Sequence, residues 1–283
     1  MEISIIIPTL NASVYIEKLL SLLRAQDTKP LEIIIIDSSS RDNTIDITKR
    51  FGAKTIIIPG HTFNHGKTRN LAALEARGDI LVFMTQDALP QDNTLLSKLT
   101  APLQVSEIAA TFGRHIPRYD APPSEVFARQ FSYPDTASIK GTDDIKQYGI
   151  KTFRFSNVCS AIKKELFIKA GMFPEGIRAN EDMLIAAKLI LNGYKVAYVP
   201  QATVIHSHNY SLFQQFRRYY NIGSSLKDNS WILKYVRAEG EGMRFIKGQV
   251  SFILKCRKYL WIPYVLLEST TKYAGYRIGL IAG

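Results

Sequence analysis

Ile80-Leu81-Val82-Phe83-Met84-Thr85-Gln86-Asp87-Ala88-Leu89-Pro90 is the stretch from which the fold can be read. Its first five residues are apolar with no polar alternate, the pattern of a strand covered on both faces of a parallel sheet. A carboxylate, Asp87, follows at the strand's carboxyl end, where α/β sheets gather their ligands. Pro90 cannot donate to a sheet ladder and is expected to end the strand. An Asp after a strand is commonly only a turn residue or a helix cap. Two other strand-end sites in the chain favour a functional reading, because all three would open on one crevice.

The residues before this stretch repeat a strand–helix unit. Glu2 to Pro8 reads as a strand, and Val14, Ile16, Leu19, Leu20 and Leu23 recur at helical spacing from Ser13 to Ala25. Leu31 to Ile36 is a second apolar strand, ending in Asp37. The polar loop Asp37 to Thr44 opens a helix through Phe51, with Gly52 as its stop, and Lys54 to Ile58 is a third strand. Strands and helices alternating through short connections predict a parallel sheet with right-handed crossovers. No Gly-x-Gly-x-x-Gly follows the first strand and no Walker loop is present, which argues against dinucleotide and P-loop binding.

His61 to Asn70 leads into a helix reaching Ala76, and Gly66, Lys67 and Arg69 at its start offer an anion site or a solvated basic turn equally well. From Thr111 to Phe155 the periodicity is poor and Pro117, Pro122, Pro123 and Pro134 interrupt it, which predicts an irregular segment. Phe153 to Ile162 reads as a strand and Lys163 to Ala170 as a short helix. Glu181 and Asp182 then open a helix, with Asn180 as its expected N-cap and Asn192-Gly193 as its stop. Acids in a first turn are favoured by the helix dipole whatever their role, and the dipole is expected to keep them ionised. Lys195 to Ile205 is a further strand, ending in His206-Ser207-His208. Histidines two apart on a strand point to one side and suit a metal ligand or a phosphate contact.

Composition sets the frame for these sites. The chain has 283 residues, 46% of them hydrophobic, enough for one large core and a smaller appendage. Its two cysteines, Cys159 and Cys256, are too few for a disulfide framework and suggest a reducing compartment. No basic n-region precedes the first strand, so no signal peptide is expected. No apolar run reaches the roughly 18–20 residues of a membrane span. The net charge of +11 is unevenly placed: residues 211–283 carry 12 Lys and Arg against 4 Asp and Glu, whereas residues 1–210 carry 24 against 21. A basic tail suggests nucleic acid or an anionic membrane surface as partner.

The ordered set of motifs resembles the inverting, family 2 glycosyltransferases of GT-A fold. The resemblance runs over residues 3–210 and rests on Ile5-Ile6-Ile7-Pro8-Thr9-Leu10-Asn11-Ala12, Ile36 to Ser40 with Asp42 and Thr44, Arg69-Asn70 ahead of Gly78-Asp79-Ile80, and Glu181-Asp182. Phe63-Asn64-His65-Gly66, Thr85-Gln86-Asp87-Ala88 and Phe155-Ser156-Asn157-Val158 are similar to its rhamnosyltransferase branch. Members of that branch use dTDP-L-rhamnose to extend bacterial surface polysaccharides. The resemblance implies that Thr9, Asp37, Arg69, Asn70, Gln86 and Asp87 bind the nucleotide sugar. It also implies that Asp182 deprotonates the acceptor hydroxyl, with Glu181 beside it. Most of the wider family carries Asp-x-Asp at its metal site, and Thr85 stands here in place of the first Asp. Asp87 with His206 or His208 and two diphosphate oxygens would still complete the coordination of Mg²⁺ or Mn²⁺ with water.

The expected architecture is therefore α/β, a mostly parallel GT-A sheet flanked by helices. Residues 1–90 form its nucleotide-sugar half, residues 91–210 its acceptor half, and residues 211–283 a basic helical extension. Arg217 or Arg218 in the extension offers a phosphate contact or merely the solvated face of an amphipathic helix. Truncation after about Ser230 is expected to leave a folded catalytic domain. Phe252 to Ile262 mixes basic residues with Tyr259 and Trp261, which suits the surface of an anionic membrane near a lipid-linked glycan acceptor. The alternatives are a helix packed back on the catalytic part and a homodimer contact. The corresponding location is cytoplasmic, peripheral on the cell membrane. Two rival functions are a GT-A transferase with another donor and a non-catalytic nucleic-acid-binding protein. The second has no nucleic-acid motif to support it and leaves the acidic crevice without a use.

Overall fold

The computed structural model describes residues 1–235 and 241–283. Strands β1 (Ile3–Thr9), β2 (Glu32–Asp37), β3 (Lys54–Ile57) and β4 (Ile80–Met84) pair in parallel in the order β3-β2-β1-β4. Between them run α1 (Ser13–Arg24), α2 (Thr44–Arg50) and α3 (His65–Glu75). This half follows the alternation read from the sequence.

Side chains alternate across a strand, so each strand feeds two cores. Ile5, Ile7, Ile35 and Val82 face Leu19, Leu20 and Leu23 of α1. Ile6, Ile34, Leu81 and Phe83 face the opposite side, with Ala72 and Ala73 of α3. Phe83 is fully buried and meets Phe173 edge-on with ring centroids 5.0 Å apart. Burying one side chain of that size is worth about 1.5–3 kcal/mol, which explains why β4 is apolar throughout.

The second half mixes directions. Its elements are β5 (Leu89–Pro90), α4 (Leu95–Thr100), β6 (Ile108–Ile116), α5 (Pro123–Ser132), β7 (Ser138–Lys140), α6 (Ile145–Tyr148), β8 (Cys159–Lys163), α7 (Lys164–Lys169), α8 (Glu181–Leu191) and β9 (Lys195–Ile205). The sheet continues β4-β8-β6-β9-β5, with β8 antiparallel to both neighbours and β7 on the outer flank of β9.

Three sequence expectations are corrected here. The strand ends at Met84, and Pro90 belongs to a separate two-residue edge strand, a place where a missing N–H costs little. The segment from Thr111 is not irregular: Pro122 and Pro123 start α5, because proline is tolerated in a first helical turn. Of Phe153 to Ile162 only the part from Cys159 is strand, and Gly149–Phe153 is a short 3₁₀ turn.

One irregularity positions the site. The β6–β9 register jumps from Gly113↔Val199 to Arg114↔Thr203, so Pro200, Gln201 and Ala202 bulge out of the ladder. A bulge bends its strand. Beyond it Val204 and Ile205 pair with Pro90 and Leu89 of β5. The residues just after β4 are thereby brought against those just after β9.

The basic extension forms α9 (Leu212–Asp228), α10 (Glu241–Lys255) and α11 (Ile262–Ala282). α9 and α11 lie side by side at backbone contact: a Cβ on Gly279 would fall 2.1 Å from the Tyr220 carbonyl oxygen, and one on Gly223 2.3 Å from that of Tyr276. α10 lies on α5, where Phe245 and Phe252 meet Phe127 at 5.3 and 5.7 Å. Leu226 and Ile232 enter the main core, so the extension packs back on the sheet domain.

Candidate active site

The β5–β9 pairing brings three donor groups together. Asp87 lies 3.4 Å from His206 Nδ1 and 3.7 Å from His208 Nε2, and the ligand atoms of all three fall within 4.8 Å of one another. His206 is buried, and its Nδ1 has no hydrogen-bond partner. Both histidines lie in the loop beyond β9, so it is this loop and not strand alternation that turns them to one side.

Charge in this cluster is set by burial. Burial alone would raise the Asp87 carboxyl, but the neighbouring imidazoles, His206 ahead of His208, outweigh it and hold it at about 2. Burial first, then His206, pushes His208 down to about 4, against the pull of Asp87. At neutral pH the cluster therefore offers an ionised carboxylate and a neutral His208 ring. An orphaned buried imidazole nitrogen, a carboxylate and a neutral imidazole fit a divalent cation, with imidazole suiting Mn²⁺ better than Mg²⁺. Thr85 Oγ1, in place of the family's first Asp, is likewise buried and unpartnered.

The ends of β1 and β2 make the second cluster. Thr9 Oγ1 donates to Asp37 Oδ2 at 2.8 Å, and Ser40 donates to Asp37 through its N–H at 2.7 Å and its hydroxyl at 2.6 Å. Gln86 clamps the turn after β1, accepting from Leu10 N at 2.8 Å and donating to Leu10 O at 3.3 Å. Asp37, Thr9 and Gln86 thus fix the β1 and β2 turns beside Asp87.

Glu181 and Asp182 form the third cluster. Glu181 Oε1 accepts from Arg69 Nη1 at 3.3 Å and from Asn157 Nδ2 at 3.4 Å. Asp182 accepts from the amides of Met183 at 2.8 Å and Asn157 at 3.3 Å. Burial, followed by the Glu181 charge, pushes Asp182 up to about 7, against those amides and Arg69. For Asp182 this corrects the expectation that the helix dipole keeps it ionised: desolvation and a like charge are the larger effects here. Asn180 holds the N-cap position as expected, but its side chain makes no capping bond. It sits at φ 66 and sends Nδ2 to the Ile222 carbonyl of α9 at 3.2 Å, while Ala179 N donates to Ser225 Oγ at 3.1 Å. The α9 helix therefore holds the loop that presents the acids.

At the start of α3, where the sequence reads equally as an anion site or a basic turn, the Gly66 and Lys67 amides are capped by Asn64 Oδ1 at 3.1 and 3.0 Å, which favours the turn. The Arg69 guanidinium turns inward to the His65 carbonyl at 2.9 Å and to Glu181. Asn70 spends Nδ2 on the Phe173 carbonyl at 2.9 Å and Oδ1 on the Phe173 amide at 3.1 Å, bracing that loop. The bridge between the Asp87–His206–His208 cluster and the acids is short: Thr85 N donates to Val158 O at 3.3 Å, one residue from the Asn157 that holds both acids.

Sequence reading singled out Arg218 but passed over the other aromatic and cationic groups around the histidines. His115 stacks on Tyr133 with centroids 3.9 Å apart, lies 5.8 Å edge-on to His206, and faces Arg129 Nη1 across 3.4 Å. Arg129 is held by Glu125 at 2.6 Å, and Arg218 lies 5.6 Å over the Tyr210 ring that stacks on His208. The Glu125–Arg129 spacing of four on a helix was the available signal.

The glycosyl transferase family 2 model matches residues 4–171 of this chain. The chain belongs to that family. Matching ends before Glu181, so the acids and histidines lie beyond the segment that defines membership. Two full-length relatives extend further. The chain is 39% identical over 279 residues to the O-antigen chain rhamnosyltransferase WbaN of Salmonella anatum, covering 98% of this chain and 88% of the relative. It is 39% identical to RfbN of Salmonella typhimurium over 282 residues, covering 99% and 90%. Among solved structures, the mannosyltransferase PcManGT of Pyrobaculum calidifontis, in complex with GDP-Man and Mn²⁺, superposes with TM-score 0.68 at 17% identity, over 99% of this chain and 87% of that one. Staphylococcus aureus TarS with UDP-GlcNAc gives 0.61 at 17% identity, over 99% and 90%. The family 2 chain thus has the GT-A fold of known glycosyltransferases, which is the fold and activity its motifs imply.

Proposed function

We propose that this glycosyltransferase moves L-rhamnose from dTDP-L-rhamnose, with inversion, onto a lipid-linked glycan acceptor in bacterial surface polysaccharide synthesis. What carries the donor choice is the 39% identity to two O-antigen chain rhamnosyltransferases over nearly the whole of each chain. The fold alone leaves the donor open, since its neighbours were solved with GDP-Man and UDP-GlcNAc.

In this reading the acceptor hydroxyl attacks the sugar's anomeric carbon as the bond to the diphosphate breaks. Asp182 takes the hydroxyl proton; a base held at about 7 by its surroundings is well matched to that task. Glu181, tied to Arg69 and Asn157, positions Asp182 and raises its proton affinity. Asp87, His206 and His208 would hold Mg²⁺ or Mn²⁺. When bound, the ion supplies electrostatic stabilisation of the departing diphosphate. Arg218 and Arg129 add positive charge on the same side of the site. Thr9, Asp37 and Gln86 shape the turn that receives the nucleoside. The acceptor reading places the protein on the cytoplasmic face of an anionic membrane, without a homodimer being required.

A donor screen tests the proposal. Purified protein with Mn²⁺ should be stabilised against heat by dTDP-L-rhamnose and much less by GDP-mannose or UDP-N-acetylglucosamine. Equal stabilisation by all three would remove the donor assignment.

A further inference from the structure

We propose that the corner joining α10 to α11 inserts into an anionic bilayer surface, with Leu260 as the residue that enters the lipid. The inference rests on the membrane reading above and makes it specific to one place in the fold.

Leu260 is 94% exposed, its neighbour Tyr259 and Leu254 near the end of α10 are exposed too, and so are Leu266 and Leu267 in the first turns of α11. Several large apolar groups exposed within one short stretch mark an interaction site, whereas single ones do not. Lys255, Arg257 and Lys258 are exposed within the same corner and form no ion pair with a described residue. From residue 242 to 283 the only acid in the sequence is Glu268, which is buried. The residues of the corner are thus apolar at its tip and basic at its rim, with no acid among residues 242–267. That combination complements anionic headgroups over acyl chains. A second copy related by a two-fold axis would bring the same three cations together, and a nucleic acid would leave Leu260 without a use. Trp261 and Tyr264, packed edge-on at 5.4 Å behind the tip, are the aromatics that settle at headgroup depth.

The corner is closed by backbone hydrogen bonds. Just past α10, Arg257 takes φ 55 and Lys258 N returns to the Ile253 carbonyl at 3.1 Å, the closure of a left-handed helix C-cap. A 3₁₀ turn over Tyr259–Trp261 follows, and Pro263 opens α11. Both flanking helices are fixed to the site. α10 docks on α5, which carries Arg129, with Gln249 Nε2 donating to the Ser124 carbonyl at 3.3 Å. α11 docks on α9, which holds the Glu181–Asp182 loop. A membrane bound at the corner is therefore held in a fixed relation to the acids, as an acceptor carried on a lipid requires. Among the described residues no helix is long and apolar enough to cross a membrane, so the contact is with a surface.

The test uses the full chain and its own cysteines. Cys256 is exposed in the corner and Cys159 is buried, so an environment-sensitive thiol dye marks the corner alone. Mixed phosphatidylglycerol–phosphatidylcholine vesicles should raise and blue-shift the dye's emission, and pure phosphatidylcholine vesicles should not. In flotation with the mixed vesicles, Leu260→Glu should weaken binding about tenfold or more. Reversing Lys255, Arg257 and Lys258 to Glu should cost about fivefold per residue. Both variants are at the surface and should keep the wild-type melting temperature. If the wild type floats while both variants float equally well and the dye is unmoved, the corner is overturned and the membrane reading survives elsewhere on the chain. If the wild type binds no vesicle, both fall. A dimer in light scattering that shields Cys256 from the dye would overturn the proposal in favour of a second copy.

Discussion

Arg69 Nη1 and Glu181 Oε1 lie 3.3 Å apart, with 5% and 9% of the two side chains exposed, in an ion pair that spans 112 residues of sequence. Such a pair stabilises little by itself, but breaking it leaves a charge stranded. Arg69→Met should therefore cost about 3–5 kcal/mol of stability in urea unfolding. Glu181→Gln keeps an acceptor for Arg69 and Asn157 and leaves the Asp182 carboxylate to balance the guanidinium, so it should cost less than Arg69→Met. An Arg69→Met variant within about 1 kcal/mol of wild type, with weakened donor affinity, would instead return Arg69 to the phosphates.

Asp182 and Asp87 make opposite predictions for stability against pH. Asp182 is raised from 3.8 to about 7, so the folded state keeps its proton longer than the unfolded chain. Its contribution is unfavourable at pH 8 and vanishes below about pH 4. Asp182→Asn should therefore raise the melting temperature at pH 8, by on the order of 1–3 kcal/mol in free energy, and leave it unchanged near pH 4. Asp87 is lowered from 3.8 to about 2, so it stabilises the fold above about pH 4 and loses that effect as pH falls toward 2. Asp87→Asn should then destabilise at pH 7. Thermal melts of the two variants at pH 4 and pH 8 check both signs, and matching profiles would contradict the opposed environments.

Metal dependence follows from the donor set. Chelation should abolish turnover, and Mn²⁺ should restore it at least as well as Mg²⁺. Because His208 is held near 4, its own protonation should weaken Mn²⁺ binding, measured by calorimetry, only below about pH 5. His206→Ala and His208→Ala should each weaken Mn²⁺ binding. Protonation of the His208 ring between about pH 7 and 6, followed by NMR, would contradict the lowered His208.

The extension is built into the domain. Cutting after Ser230 removes α10 and α11, exposes Phe127 on α5, and strips the glycine-lined face of α9. That fragment is expected to aggregate, contrary to the expectation drawn from the sequence. Gly279→Val, placing a side chain where a Cβ already meets the Tyr220 carbonyl oxygen at 2.1 Å, should lower stability by about 1–3 kcal/mol or more. A soluble, cooperatively melting 1–230 fragment would contradict this.

What could be read in advance depended on distance along the chain. β1, β2 and β4 were legible because strands buried on both faces admit only apolar residues, and Asp37, Asp87 and the histidines because strand ends mark the crevice. The α5 helix was missed because Pro122 and Pro123 were weighed as breakers and not as a start. The roles of Asn70, Arg69 and Asn180 depend on partners at Phe173, Glu181 and Ile222, which no local pattern announces. The raised Asp182 was illegible for the same reason: the helix dipole is a local property, and burial is not.

The most direct test is rhamnosyl transfer from radiolabelled dTDP-L-rhamnose to lipid-linked acceptor, comparing wild type with Asp182→Asn and Glu181→Gln at saturating donor. The account predicts transfer by the wild type on an acid limb near pH 7. Asp182→Asn should lose about 10²–10⁴ in kcat with donor affinity unchanged. In Glu181→Gln, which removes the charge that raises Asp182, the acid limb should move to lower pH. Near-wild-type kcat in Asp182→Asn, or transfer from GDP-mannose or UDP-N-acetylglucosamine and not from dTDP-L-rhamnose, would contradict it.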